Sequence, residues 1–139
     1  MKWLGEDVLR MKPKNEFRIL IVDDFATMRR VIRNLLEELG YSTKKMREAE
    51  NGREAMEILD EAEIDLVVLD WNMPETPGIE TLRWLRKHET RSQIPVLMVT
   101  AEATREQIVE AAEIGVNAYI LKPFTADTLR KKLDFIFRE

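Results

Sequence analysis

An α/β fold built on a doubly wound parallel sheet is what this 139-residue sequence predicts, and three observations predict it. Short apolar runs recur along the chain, each followed by a helix-patterned stretch, the alternation of buried parallel strands with crossover helices. No repeat or long low-complexity linker interrupts the alternation, so one domain is expected. Four of the runs stop at a polar residue: 19–22 at Asp23-Asp24, 66–69 at Asp70, 96–99 at Thr100 and 119–121 at Lys122. Ligands of such sheets sit in the crevice outside the carboxyl ends of the strands, so these terminators are expected to converge.

The elements follow in order. A charged leader, residues 1–15, ends near Pro13-Lys14-Asn15; Met1, Leu4, Val8 and Met11 recur at helical spacing beside Trp3, and it reads as a short helix or as disorder. Residues 16–139 form the domain. The first strand is 17–22 and the helix after it 26–39, with Met28, Ile32, Leu35, Leu36 and Leu39 on one face and Gly40 as its stop. Strand 45–49 has the weakest apolar signal, and helix 53–61 follows it. The central strand, 66–69, leads to helix 79–88. After strand 96–99, Thr104 and Gln107 make a capping-box pattern for helix 105–114, which Gly115 stops. Strand 118–121 precedes helix 126–137, whose Leu129, Leu133, Ile136 and Phe137 share a face. Both apolar stripes are core.

Composition excludes several functions. Lys+Arg total 22 against 26 Asp+Glu, a net charge of -4, and there is no basic stripe for nucleic acid. The absence of cysteine removes disulfide, thiolate and cysteine-zinc chemistry and suits a reducing compartment. Glu6, Asp7, Arg10 and Lys12 break the first stretch as a signal peptide, and no run approaches membrane-spanning length. A cytoplasmic protein without membrane attachment is expected. The one histidine, His88, lies between Lys87 and Glu89 and reads as solvated rather than as a ligand or base. Ser42 and Ser92 are the only serines, which leaves no serine triad. A nucleotide site would place a glycine-rich loop after the first strand, where Asp23-Asp24 would instead repel phosphate.

The pocket chemistry follows from the terminators. An Asp doublet alone would read as a solvated loop or helix cap; convergence with Asp70 makes it a site. Three carboxylates that close need a compensating cation or raised pKa values, and magnesium, a hard ion taking oxygen ligands, is the natural cofactor. Asp70, on the end of the central strand, can attack phosphorus to form an acyl phosphate. Thr100 offers a hydroxyl to a phosphoryl oxygen, and Lys122 a point charge to the added dianion. Pro123 restricts the backbone of Lys122 and raises the chance of a cis peptide there.

The stretches Val22-Asp-Asp-Phe-Ala-Thr-Met-Arg-Arg30, Asp70-Trp-Asn-Met-Pro74, Val96-Leu-Met-Val-Thr-Ala-Glu102 and Lys122-Pro-Phe-Thr125 stand in a specific order and spacing. Through them the chain resembles the receiver domains of two-component response regulators, and among these the single-domain chemotaxis regulators, over residues 17–137. The resemblance implies a flavodoxin-like (CheY-like) five-stranded sheet of order 2-1-3-4-5 with five flanking helices, the very fold that illustrates the switch-point rule. It implies Asp70 as phosphoacceptor and Asp24, Asp70 and the Asn72 carbonyl as magnesium ligands, with Asp23 acting through water. Thr100 and Lys122 take the switch and phosphate-pairing roles, and Tyr119 is the aromatic switch residue. Asn72 and Glu102 match positions that tune dephosphorylation. Ala103, Arg105, Tyr119, Leu121, Thr125 and Lys132 match the partner face.

The resemblance also implies a function: a response regulator that takes a phosphoryl group from a CheA-like histidine kinase, with intrinsic autophosphorylation and autodephosphorylation, and signals by binding protein. The flagellar motor switch is the expected target, a dedicated phosphatase a further partner, and the monomer the expected state. No DNA-binding segment follows the last helix, which also favours output through protein binding. The rivals are a stand-alone phosphorelay receiver and a phosphatase of the haloacid dehalogenase type. The latter needs a second aspartate two residues after the nucleophile as general acid, where this chain has Asn72. Pro77 replaces the aspartate of the usual Met-Pro-x-Met-Asp-Gly, leaving that loop's conformation open, and residues 41–47 run slightly longer than is usual.

Overall fold

The β-branched and leucine-rich runs lie at the centre of the molecule. In the computed structural model, which describes residues 12–138, β1 (Ile19–Val22), β3 (Leu66–Asp70) and β4 (Val96–Thr100) are buried at every position. Together with β2 (Met46–Ala49) and β5 (Ala118–Leu121) they form one parallel sheet of order β2-β1-β3-β4-β5. The expected order is therefore observed. The reading of residues 1–11 lies outside the described residues.

Strand alternation splits the core into two layers, as a two-residue period requires. Leu20, Val22, Val67, Leu69, Val96 and Met98 face α2 (Gly52–Glu61), α3 (Gly78–Arg86) and α4 (Arg105–Ile114), meeting Leu59, Leu82, Leu85 and Ala111. Ile19, Ile21, Leu66, Val68, Leu97 and Val99 face α1 (Ala26–Glu38) and α5 (Ala126–Arg138), meeting Ile32, Leu36, Leu129 and Leu133. Because neighbouring strands all run parallel, their carboxyl ends lie along one edge of the sheet. No helix among the described residues is long and apolar enough to cross a membrane.

Boundaries depart from the sequence reading where side chains capture backbone groups. Phe17 is not in β1: it follows the 3-10 turn Lys14–Glu16, and its ring packs edge-on to Tyr41 and Phe137 at 5.7 and 5.1 Å. The next amide, Arg18 N, donates to Asp65 Oδ2 at 2.8 Å. Lys45 closes the turn Thr43–Lys45, so β2 begins at Met46. Asn51 Oδ1 caps α2 by accepting Glu54 N at 2.8 Å, which starts the helix at Gly52. The Thr104–Gln107 capping box is present, and Gly40 and Gly115 take φ of 106° and 115° as helix stops.

His88 needs correction. Its Nδ1 accepts the amides of Thr90 and Arg91 at 3.2 and 3.1 Å, Nε2 faces Asp60 Oδ1 at 2.8 Å, and its ring meets Trp84. It is half-buried and fastens the turn after α3 to α2, because two consecutive amides beyond the helix end needed an acceptor.

Candidate functional site

Parallel register brings the terminators together. Val22 pairs with both Ala49 and Leu69, Asp70 with Val99, and Thr100 with Leu121, so the next residues of β1, β3, β4 and β5 emerge side by side. Backbone bonds carry the alignment beyond the strands: Asp23 N donates to Ala49 O at 3.1 Å, Trp71 N to Val99 O and Lys122 N to Thr100 O at 2.8 Å each. Asp23, Asp24 and Asp70 each present an oxygen within 4.8 Å of the others. Lys122 Nζ lies 3.2 Å from Asp23 Oδ2 and 3.4 Å from Asp70 Oδ1, and the Lys122–Pro123 peptide is cis.

The three carboxylates are not equivalent. Asp23 is wholly buried and saturated: Oδ1 accepts Phe25 N at 2.9 Å, Oδ2 accepts Lys122, and its carbonyl accepts Arg29 Nη1 at 2.7 Å. Asp24 Oδ1 is buried with no hydrogen-bond partner. Asp70 is buried, and its pKa is pushed up to about 6, first by desolvation and then by the Asp23 charge, against the pull of Lys122 and the Asn72 amide. Burial works against the Lys122 ammonium, but Asp70 and Asp23 outweigh it and raise its pKa. One ammonium against three carboxylates leaves excess negative charge and an unmet oxygen. That donor set fits a hard divalent cation such as Mg²⁺.

The expected switch residues flank the pocket. Thr100 is buried, and its Oγ1 donates to Glu102 O at 2.8 Å, toward the loop after β4. Tyr119 is half-buried beside a cavity of about 560 Å³ between α4 and α5, lined among others by Trp71, Thr100, Ala103 and Lys132. Lys132 Nζ sits 5.1 Å over the Tyr119 ring, and a second cleft joins Tyr119 to Leu121 and Thr125. Arg105, exposed at the start of α4, lines neither hollow. Asn72 and Glu102 are exposed in the loops after β3 and β4.

The loop after β3 resolves the Pro77 question. Thr76 N donates to Pro74 O at 2.7 Å across Glu75, whose φ is 69°. Pro77 precedes α3 in extended conformation without a side-chain cap, and its carbonyl accepts Glu80 N at 2.9 Å. Gly78 was missed by the sequence reading: a Cβ there would collide with the Asp70 carbonyl oxygen. Arg29 and the exposed Phe25, 65% accessible beside the doublet, were also unassigned. Both stand inside the first recognised stretch, and that position was the only signal.

The matched family model, the response regulator receiver domain, covers residues 19–134, and the chain belongs to that family. As a receiver of the CheY type it is a signalling switch. Chemotaxis protein CheY-3 of Vibrio cholerae is 55% identical over 120 residues, spanning 86% of this chain and 91% of its own length. Chemotaxis protein CheY of Pseudomonas aeruginosa is 52% identical over 120 residues, spanning 86% and 95%. Among solved structures, Vibrio cholerae chemotaxis protein CheY4, crystallised at low pH, matches with a TM-score of 0.79 and 31% identity, covering 86% of this chain and 98% of that one. The signal receiver domain of a signal transduction histidine kinase from Syntrophus aciditrophicus matches with a TM-score of 0.75 and 32% identity, covering 86% and 89%.

Proposed function

We propose that the chain is a phosphorylation-activated chemotaxis regulator, which takes a phosphoryl group from a CheA-like histidine kinase onto Asp70 and acts by binding the flagellar motor switch. The carrying observation is the buried Asp70 carboxylate on the central strand, shared with Asp23 through Lys122 and adjoining the unpartnered Asp24 Oδ1. Asp24, Asp70 and the Asn72 carbonyl would hold Mg²⁺, with Asp23 reaching it through water. When bound, the ion supplies positive charge to the phosphoryl oxygens.

The chain's own residues do the rest. An ionised Asp70 oxygen forms the O–P bond as the P–N bond of the donor phosphohistidine breaks, and the electron pair leaves with the imidazole. A pKa of about 6 leaves Asp70 mostly ionised at neutral pH in the metal-free protein. Lys122 pairs with the phosphoryl group, and Thr100 Oγ1 exchanges the Glu102 carbonyl for a phosphoryl oxygen. Tyr119 then moves toward the space beside Thr100, altering the face that carries Ala103, Arg105, Leu121, Thr125 and Lys132. Hydrolysis of the acyl phosphate returns the resting state, with Asn72 and Glu102 setting its rate and a dedicated phosphatase as a further partner.

The chemotaxis relatives at 52 and 55% identity support the motor target. The likeness to a kinase-borne receiver keeps one second reading, a phosphorelay receiver without a motor target. The haloacid dehalogenase alternative fails on Asn72, whose amide cannot serve as the general acid. The test is intact mass after acetyl phosphate treatment, with and without Mg²⁺, on wild type and Asp70→Asn. One Mg²⁺-dependent phosphoryl adduct, absent in the variant, is expected. Adduct formation without tighter binding of a motor-switch peptide would leave the phosphorelay reading; no adduct, with fast hydrolysis excluded, would overturn both.

A further inference from the structure

Asp23 is held at both carboxylate oxygens and at its carbonyl, and the donor to the carbonyl comes from α1. Arg29, in the first turns of α1, donates through Nη1 to the Asp23 carbonyl at 2.7 Å and through Nε to Glu48 Oε1 at 2.8 Å. Its side chain is only 14% exposed. Glu48 stands on β2 beside Ala49, whose carbonyl accepts Asp23 N. The other Glu48 oxygen takes Arg33 Nη1 at 3.2 Å, and Arg33 Nη2 reaches Thr43 O at 3.0 Å. Each contact sets the direction of the next, from β2 through α1 to the end of β1.

We infer that Arg29, oriented by Glu48, is a positioning residue that aims the free Asp24 carboxylate at the Mg²⁺ site. The Asp23 carbonyl and the Asp24 amide belong to one planar peptide, so a donor fixed on that oxygen sets the plane from which Asp24 leaves. Asp24 Oδ1 is buried and, among the described residues, without a partner, whereas both Asp23 carboxylate oxygens are occupied. A planar guanidinium satisfies the carbonyl and the carboxylate together in fixed directions; a lysine ammonium carries the same charge without that fork. Partners that orient metal ligands contribute strongly to metal affinity.

This inference rests on the Mg²⁺ reading of the pocket. Thermal midpoints of the full chain are measured across a MgCl₂ series, which yields the metal-free stability and the Mg²⁺ Kd separately. Arg29→Lys conserves charge and is expected to weaken Mg²⁺ binding about tenfold, the low end for such outer partners. Arg29→Gln is expected to do likewise, and Glu48→Ala, measured at high salt to screen its lost charge, to weaken binding in the same direction. A purely structural role would lower the metal-free midpoint and leave Kd unchanged; that result, or tighter binding in either Arg29 variant, overturns the inference. A wild-type midpoint that does not respond to MgCl₂ overturns the Mg²⁺ reading and the inference with it, and is recognisable because it needs no variant.

Discussion

Asp70 concentrates the pocket's conflict between burial and charge. Its pKa rises from 3.8 to about 6 on folding, so the native state holds its proton more tightly than the unfolded chain does. The associated stability is fully present below about pH 4 and is lost as pH rises through about 6. Metal-free Asp70→Asn should therefore be more stable than wild type at neutral pH, by about 1–2 kcal/mol after allowance for solvent screening, with the gap closing near pH 4. Urea unfolding at several pH values checks this; a variant less stable than wild type at pH 7 would mean that the Lys122 pairing outweighs desolvation. Lys122→Met should do the reverse, costing about 3 kcal/mol without metal by leaving buried carboxylates uncompensated, with part of the loss recovered on adding Mg²⁺. The convergence of Asp23, Asp24, Asp70 and Lys122 was legible in the sequence because each stands at the end of an apolar run or, for Asp24, one residue beyond. Arg29 was not, since its contact with Glu48 runs between α1 and β2, a relation no linear spacing carries.

Elements position these residues through close contacts at their ends. The first residue of α3, Gly78, lies against the Asp70 carbonyl, and its amide donates to Trp71 O at 2.9 Å. The first residue of α2, Gly52, meets the side chains of Thr76 and Thr81. Gly78→Ala must displace the backbone of Asp70, whereas Gly52→Ala displaces side-chain atoms that can turn. Overpacking typically costs about 1–3 kcal/mol. Gly78→Ala is expected near the top of that range and Gly52→Ala near the bottom, and only the former should also slow acetyl phosphate labelling; equal losses of stability in denaturant would contradict the assignment. The element order was readable because the central strands are buried on both faces, but element edges were not. Phe17 looked like strand because it is apolar, yet it serves an aromatic cluster with Tyr41 and Phe137. Strand β2 gave a weak signal for the opposite reason: at the sheet edge only Met46 and Ala49 are buried, while Arg47 and Glu48 face outward.

Across the whole molecule, the pocket and the α4–β5–α5 face meet at Thr100 and Tyr119, with the cavity between them bordered by both residues. A cavity beside a half-buried ring lets two packings of one core differ little in free energy, which a two-state switch requires. A near-complete switch needs phosphorylation to favour the active packing by about 5.5 kcal/mol, and a smaller preference gives a graded response. Equilibrium coupling is reciprocal: whatever factor a phosphoryl mimic adds to motor-peptide affinity, the peptide must add to affinity for the mimic. Titrating beryllofluoride with and without a motor-switch peptide, and the peptide with and without beryllofluoride, should therefore give one common factor in wild type. Thr100→Val keeps the shape of the side chain but removes the hydroxyl that donates to Glu102 O and that, on the proposed mechanism, turns to phosphate. It should drive both factors toward one while Asp70 still accepts a phosphoryl group. Peptide affinity that still rose with beryllofluoride in this variant would mean that coupling bypasses Thr100, and would place the bistable element in the loop after β3 rather than at the Thr100–Tyr119 pair.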